Sequence, residues 1–304
     1  MSDRVLRIGT RESALALYQT RLVAGLLGAA TTEIVGISTA GDNQGIALTG
    51  QGTSGLFVNT LRSALLEQRV DLIVHSLKDL PTVPDARFAL AAVPERVDAR
   101  DVFVGKDHAS IDELRSGALI GTSSPRRAAW VRRRRPDLRV APIRGNVDTR
   151  LAKVARGDYD GTLLAAAGLS RLGLLNHQMH PLPLEELIPA HAQGALGVEC
   201  RAIDHQIMAL LLSLDDAAAR WTATAERAVL RELGASCASA AGAHATLQHG
   251  QLSLVADVMS TVDLQRILVS ESRPVSNAQE ADQLGVSVAR ALIAEGAAAL
   301  VKSS

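Results

Sequence analysis

Three groups of side chains in this chain are spaced for chemistry: a concentration of guanidinium groups, a lysine and aspartate behind an apolar strand, and a cysteine in a loop of small residues. Ten arginines and one lysine fall between Arg126 and Arg156, although the whole chain balances 32 Lys+Arg against 32 Asp+Glu. The basicity is therefore local. Arginine presents a planar fork of donors that matches carboxylate or phosphate, so such a stretch either receives an anion or solvates a helix face. Position separates the two. Ser123 or Ser124 can cap a helix that opens at Pro125, which puts Arg126 and Arg127 in the first turn. There the dipole disfavours cations and the free backbone N–H groups seek an acceptor, so an anion is expected at that end. Arg132 to Arg135 fall at the other end, before Pro136, where cations suit the dipole and a solvated face is expected.

The second group, His75-Ser76-Leu77-Lys78-Asp79-Leu80-Pro81, follows the apolar run Leu72-Ile73-Val74. Its polar groups are expected at the edge of a sheet. Lys78 and Asp79 read equally as a surface ion pair and as a catalytic carboxylate with a cationic neighbour. In a cleft lined by arginine, a lone carboxylate has a distinct use: it holds a cationic or N–H-bearing centre. The third group is Cys237, within Gly234-Ala235-Ser236-Cys237-Ala238-Ser239-Ala240, where small neighbours leave room around the sulfur. Cys237 is the candidate for attachment or nucleophilic work, whereas Cys200, in Gly197-Val198-Glu199-Cys200, reads as a small buried hydrophobe.

Elements must bring these residues together. Val5-Leu6-Arg7-Ile8-Gly9-Thr10 reads as a strand and glycine turn that lead into a helix from Ala14, and Ala118-Leu119-Ile120-Gly121-Thr122 repeats that grammar. Each repeat sets a helix N-terminus at the carboxyl end of a strand, where open α/β sheets bind ligands. The first unit continues through a strand at Glu33 to Ile37, a Gly-rich segment from Gly41 to Gly55, a helix near Leu56 to Gln68 and the strand Leu72 to His75. The second opens at Asp101-Val102-Phe103-Val104 and includes a strand at Asp160 to Leu164. The segment Gly194 to Glu199 returns to the first sheet. Beyond Asp215, a helix from Arg220 to Leu233, strands at Gln251 to Ala256 and Asp263 to Val269, and a helix from Ala278 to Glu295 read as a small α+β domain. The expected boundaries are 1–95 with 194–213, 100–189, and 216–304.

Composition bounds the function. At 304 residues with 47% hydrophobic content, the chain can fill two or three cores. It contains no apolar run of membrane-spanning length, and its first residues lack the apolar core of a secretory signal, so a cytoplasmic protein without a membrane partner is expected. Two cysteines supply neither a disulfide framework nor a zinc set, and no metal is expected. Aromatic content of 2% leaves few platforms for stacking bases, which weighs against nucleic acid.

Six segments in order then carry a resemblance: Gly9-Thr10-Arg11-Glu12-Ser13-Ala14-Leu15-Ala16, Val74 to Pro81, Gly121-Thr122-Ser123-Ser124-Pro125-Arg126-Arg127, Ile143-Arg144-Gly145-Asn146-Val147-Asp148-Thr149-Arg150-Leu151, Ala166 to Gly173, and Gly234 to Cys237. Together they resemble the porphobilinogen deaminase family over nearly the whole chain. The resemblance implies an α/β fold of two domains like those of periplasmic binding proteins plus a small α+β C-terminal domain. It implies a monomer that condenses four porphobilinogen molecules, with loss of ammonia, on a covalently attached dipyrromethane cofactor and releases linear hydroxymethylbilane. It implies Asp79 as the catalytic residue and Cys237 as the thioether anchor. Lys78, Ser123, Arg126, Arg127, Arg144 and Gly145 would bind the cofactor, and Arg11, Ser13, Arg150 and Arg171 the substrate. The chain departs from the family at Ser54, where a lysine is common, at Ala192-Gln193-Gly194 in place of Gly-Gln-Gly, at Pro125, and at Ala238-Ser239-Ala240 after the cysteine. The residues alone also admit a non-catalytic two-domain anion-binding protein and a nucleic-acid binder.

Overall fold

A computed structural model describes residues 5–28, 31–38, 53–235 and 239–302. The elements in chain order are β1 (Leu6–Thr10), α1 (Ala14–Leu26), β2 (Thr32–Gly36), α2 (Thr53–Leu66), β3 (Leu72–Ser76), β4 (Phe88–Ala92), β5 (Asp101–Gly105), β6 (Leu119–Gly121), α3 (Pro125–Arg134), β7 (Arg139–Ala141), α4 (Val147–Arg156), β8 (Gly161–Ala165) and α5 (Ala166–Arg171). They continue with β9 (Leu196–Arg201), α6 (His205–Leu211), α7 (Ala217–Glu232), β10 (Ala241–Gln248), β11 (Gln251–Met259), β12 (Arg266–Pro274), α8 (Ala278–Ala294) and α9 (Ala297–Lys302). The chain divides into two compact units, Met1–Val97 with Ala195–Arg220, and Asp98–Gly194 with Trp221–Ser304.

In the first unit the sheet order is β2-β1-β3-β9-β4, with β1 parallel to β2 and β3, and β9 antiparallel to β3 and β4. The segment after Gly194 does return to this sheet, as its apolar run suggests. Strand alternation sends Leu72, Val74, Val198 and Cys200 to one face, where Val23 and Leu27 from the α1 side and Ile207 and Leu211 of α6 cover them. Ile73 faces the other way, against Leu61 and Leu65 of α2. Cys200 is fully buried, and burial pushes its thiol up to about 11, so it is the inert hydrophobe its neighbours suggest.

The second unit holds a sheet of order β5-β8-β6-β7, with β6 parallel to β7 and β8, and β5 antiparallel to β8. The likeness of the two sheets goes beyond the short sequence repeat. In each, the Gly-Thr strand is the middle of three parallel strands and an antiparallel strand flanks the trio. The repeated glycine has a local cause in both: a Cβ on Gly9 would meet Ile73 Cγ2 at 2.9 Å, and one on Gly121 would meet Tyr159 Cδ1 at 2.8 Å.

The same unit carries an antiparallel sheet, β10-β11-β12. Leu252, Leu254, Ala256 and Val258 alternate along β11 and pack under Leu284, Val288 and Leu292 of α8. Ala240 and Met259 join the core formed by Phe103, Ile120 and Leu163, which links this sheet to the one containing β6. Strands β4 and β10 escape the sequence reading, because Phe88-Ala89-Leu90-Ala91-Ala92 and Ala241 to Gln248 are rich in alanine and lack the β-branched alternation by which a strand is recognised.

Candidate functional site

In the first unit, β1 ends on Thr10 and hands over to α1 through Arg11, Glu12 and Ser13. Ser13 Oγ accepts from the Ala16 N–H at 3.3 Å, so this hydroxyl is the N-cap of α1. The Arg11 guanidinium lies 3.6 Å from the centroid of the Phe57 ring on α2, a stack that orients the fork. Strand β3 delivers a single 3-10 turn, Leu77–Asp79, anchored by the fully buried Leu77, whose N–H donates to Ala195 O at 3.0 Å. Gln19 of α1 donates to Ser76 Oγ at 2.9 Å and ties the turn to the helix. Asp79 is half-buried, and its carboxylate has no hydrogen bond or ion pair to another described residue. The surface ion pair with Lys78 is therefore not formed. His75 departs from expectation: its side chain is 4% exposed and turns inward to Glu199, because alternation puts it on the face covered by α2.

In the second unit, Ser124 rather than Ser123 caps α3, accepting from the Arg127 N–H at 3.5 Å, and Pro125 stands in the first helical position. Ser123 Oγ donates to Ile143 O at 2.8 Å. The two arginines of the first turn point into the protein, 3% and 7% exposed. Arg126 donates to Asp101 Oδ2 at 2.7 Å and to Ile188 O at 2.8 Å. Arg127 donates from Nε and Nη2 to Asp101 Oδ1, at 3.0 and 2.6 Å, and from Nη1 to Leu163 O at 2.8 Å. The anion that the helix start calls for is thus at least in part a residue of the chain itself. Burial alone would raise the Asp101 carboxyl, but the charges and hydrogen bonds of Arg126 and Arg127 outweigh it and hold the group well below the usual carboxylate range. Gln193 Nε2 also reaches Asp101, at 3.2 Å, and Ala99 O at 2.6 Å. Asp101 is absent from the sequence-derived candidates. Its signal is a carboxylate that opens the otherwise apolar strand Asp101-Val102-Phe103-Val104.

The remaining arginines differ in how much of their donor capacity is used. Arg171 is buried and donates to Gly194 O at 2.8 Å. Arg150 is half-buried, with Nε bonded to Gly145 O at 2.8 Å; desolvation and then the charge of Arg127 lower its pKa, so it lacks a compensating anion. Arg144 is exposed, and its guanidinium has no partner among the described residues. Gly145 turns the chain into α4 at φ 115°, where a Cβ would stand 2.6 Å from Thr149 Cγ2. The N-cap Asn146 makes no side-chain capping bond, so the first amides of α4 lack that internal acceptor. Arg144, Arg150 and the start of α4 form a donor set suited to carboxylates such as the acetate and propionate arms of a dipyrromethane. Cys237, Ala238 and the side chain of Ser54 lie outside the described residues.

At the far end of α3 the solvated face holds for Arg133 and Arg134, which are exposed. Arg135 corrects it. This half-buried side chain donates to Ile111 O, Asp112 O and Leu114 O at 2.9, 3.2 and 2.9 Å and pins the 111–114 turn to the helix end. At Ala192, where the family usually has glycine, φ is 51°, and the N–H donates to the buried Glu226 carboxylate at 2.5 Å.

Among solved structures the chain is similar to an ancestral cationic amino acid solute binding protein, with a TM-score of 0.43 and 14% identity over 69% of this chain and 87% of that one. A family model described as porphobilinogen deaminase, dipyromethane cofactor binding domain, matches residues 6–209, and one described as porphobilinogen deaminase, C-terminal domain, matches residues 221–294. Porphobilinogen deaminases of Burkholderia pseudomallei (strain 668) and Burkholderia thailandensis are each 46% identical over 302 residues, covering 97% of this chain and 92% of theirs. With both of its parts matched in order and nearly half of its residues shared with named members, the chain belongs to the porphobilinogen deaminase family.

Proposed function

We propose that this protein acts as a porphobilinogen deaminase, joining four porphobilinogen molecules with loss of one ammonia each and releasing linear hydroxymethylbilane by hydrolysis, with water supplying its hydroxyl. The observation that carries the reading is Asp79, a half-buried carboxylate at a strand end with no partner among the described residues. Loss of ammonia from porphobilinogen leaves a methylene-pyrrole cation. Asp79 meets the positive charge at the pyrrole nitrogen as it develops, a stabilisation greater in the transition state than in the ground state. Arg11, steadied by Phe57, takes a substrate carboxylate with Ser13, Arg150 and Arg171 as further contacts.

Dipyrromethane, when linked through Cys237, would supply a nucleophilic pyrrole carbon. Lys78, Ser123, Arg144, Gly145 and the amides at the start of α4 would hold its acidic arms. Arg126 and Arg127 contribute through donors left over from Asp101. Two α/β domains like those of periplasmic binding proteins, bounded at 1–95 with 194–213 and at 100–189, and a third at 216–304 belong to the same proposal, supported by three separate sheets. So do a monomeric state, a cytoplasmic location and independence from nucleic acid. No helix among the described residues is long and apolar enough to cross a membrane.

The test is intact mass followed by turnover. The purified protein is expected to exceed its sequence mass by two linked pyrrole units, Cys237→Ser to remove the excess, and porphobilinogen to yield a linear tetrapyrrole. An unmodified protein that converts porphobilinogen at full rate overturns the anchoring role. A modified protein that makes no tetrapyrrole overturns the activity.

A further inference from the structure

Behind the edge that carries Lys78 and Asp79 lies a buried ion cluster to which the proposed reaction assigns no part. Glu199 of β9 is 2% exposed and divides its carboxylate between two elements. Arg62 of α2 donates Nε to Oε2 at 3.1 Å and Nη2 to Oε1 at 2.6 Å, and His75 Nε2 of β3 stands 3.2 Å from the same Oε2. The Arg62 guanidinium also lies 4.7 Å from the centroid of the Phe88 ring. Burial pushes the Glu199 carboxyl up, but His75 and Arg62 outweigh it and hold it below its ordinary value, so the group stays anionic.

Such a cluster does little for stability, because desolvation cancels much of the attraction and apolar residues of the same volume often serve a fold as well. What it supplies is register. The bidentate fork allows α2 one position against β9, and the strand pairing Ile73↔Glu199 and His75↔Gly197 fixes β3 on the other side. Phe57, which carries the Arg11 stack, lies on α2 five residues before Arg62, and Asp79 lies four residues after His75. One carboxylate therefore sets both the helix that orients Arg11 and the strand that delivers Asp79.

We propose that Glu199 is a positioning residue for the reaction, holding α2 and β3 in the register that places the Phe57–Arg11 stack and the Asp79 turn. This rests on the proposed function, and the test separates the two. Glu199→Gln keeps the shape and removes the charge; Arg62→Lys, which keeps the charge and loses the fork, is the second variant and decides if the first does not fold. For each, intact mass, thermal midpoint, hydrogen exchange over residues 53–66 and 77–80, and kcat and KM for porphobilinogen are compared with the parent protein. The expected result is a retained adduct mass, a lowered midpoint for Glu199→Gln because Arg62 is left buried beside an amide, faster exchange in both segments while the protein is still folded, and kcat/KM per folded molecule lower by about tenfold to a hundredfold. The loss should be less than additive with that of Phe57→Leu, since both act through Arg11. Unchanged exchange, additive losses, or a fall in turnover that matches a fall in folded fraction overturns the proposal. A parent protein that makes no tetrapyrrole overturns the functional reading instead, and unchanged exchange then still counts against the clamp.

Discussion

The two Gly-Thr strand ends are alike in backbone and opposite in how they use arginine. In the first unit, Gly9-Thr10 leads to a serine-capped helix with Arg11 ahead of the cap, where its guanidinium lies on Phe57. In the second, Gly121-Thr122 leads to a serine-capped helix with Arg126 and Arg127 behind the cap, where they are drawn onto the buried Asp101. The difference follows from helix geometry. A residue before the N-cap projects from an extended chain at the sheet's edge, whereas residues in the first turn rotate with the helix, and α3 directs both toward the sheet it covers. A motif shared in backbone can therefore stack a guanidinium on an aromatic ring in one half and commit two to a buried carboxylate in the other.

Breaking the buried side of this comparison has the largest expected effect. Asp101→Asn leaves Arg126 and Arg127 in the interior with an amide, and loss of one partner from such a cluster costs about 3–5 kcal/mol. Denaturant unfolding measures it, and a loss under about 1 kcal/mol would mean that water or another acceptor replaces the carboxylate. The pH dependence has a definite sign. The folded-state pKa of Asp101 lies below the unfolded value of about 3.9, so its contribution is complete above that value and fades as pH falls toward the folded one. In Asp101→Asn this part of the acid limb of the stability curve should flatten.

The open side is tested by Asp79→Asn, which is expected to fold, carry the cofactor adduct and turn over about two to three decades more slowly, equivalent to about 3–4 kcal/mol of transition-state stabilisation. Near-normal turnover of a correctly loaded variant would remove Asp79 from the mechanism. Phe57→Leu sharpens the contrast between the arginines by leaving Arg11 in place without its stack. A cation–π contact of this kind is worth about 0.5–2 kcal/mol, so KM for porphobilinogen should rise several-fold with little change in thermal midpoint.

The smallest effect belongs to the far end of α3. Arg133→Gln with Arg134→Gln removes an exposed ion pair to Asp112 and a long contact to Leu264 O, and should cost less than about 1 kcal/mol without stalling chain elongation. Arg126→Gln or Arg127→Gln should impair folding or cofactor loading, read by unfolding and intact mass. Equal stalling in both sets of variants would erase the distinction by position.

Much of the architecture was legible in the chain before any coordinates. Capping serines, Pro125 at a helix start, apolar runs ending in polar turns, and the return of Gly194 to Glu199 all act through local backbone preferences and hydrophobic periodicity. The ordered motifs led to the family in the same way, because Asp79, Cys237 and the arginines stand at family positions in sequence. What periodicity could not convey was the partner of each charge. Nothing in the order of residues shows that Asp101 would neutralise Arg126 and Arg127, that Arg135 would pin the 111–114 turn, or that His75 and Arg62 would meet on Glu199, 124 and 137 positions away. Those pairings join segments far apart in the chain, and their strength comes from removal from water. Only tertiary packing decides which charges are buried together, and so which arginines retain donors for a ligand.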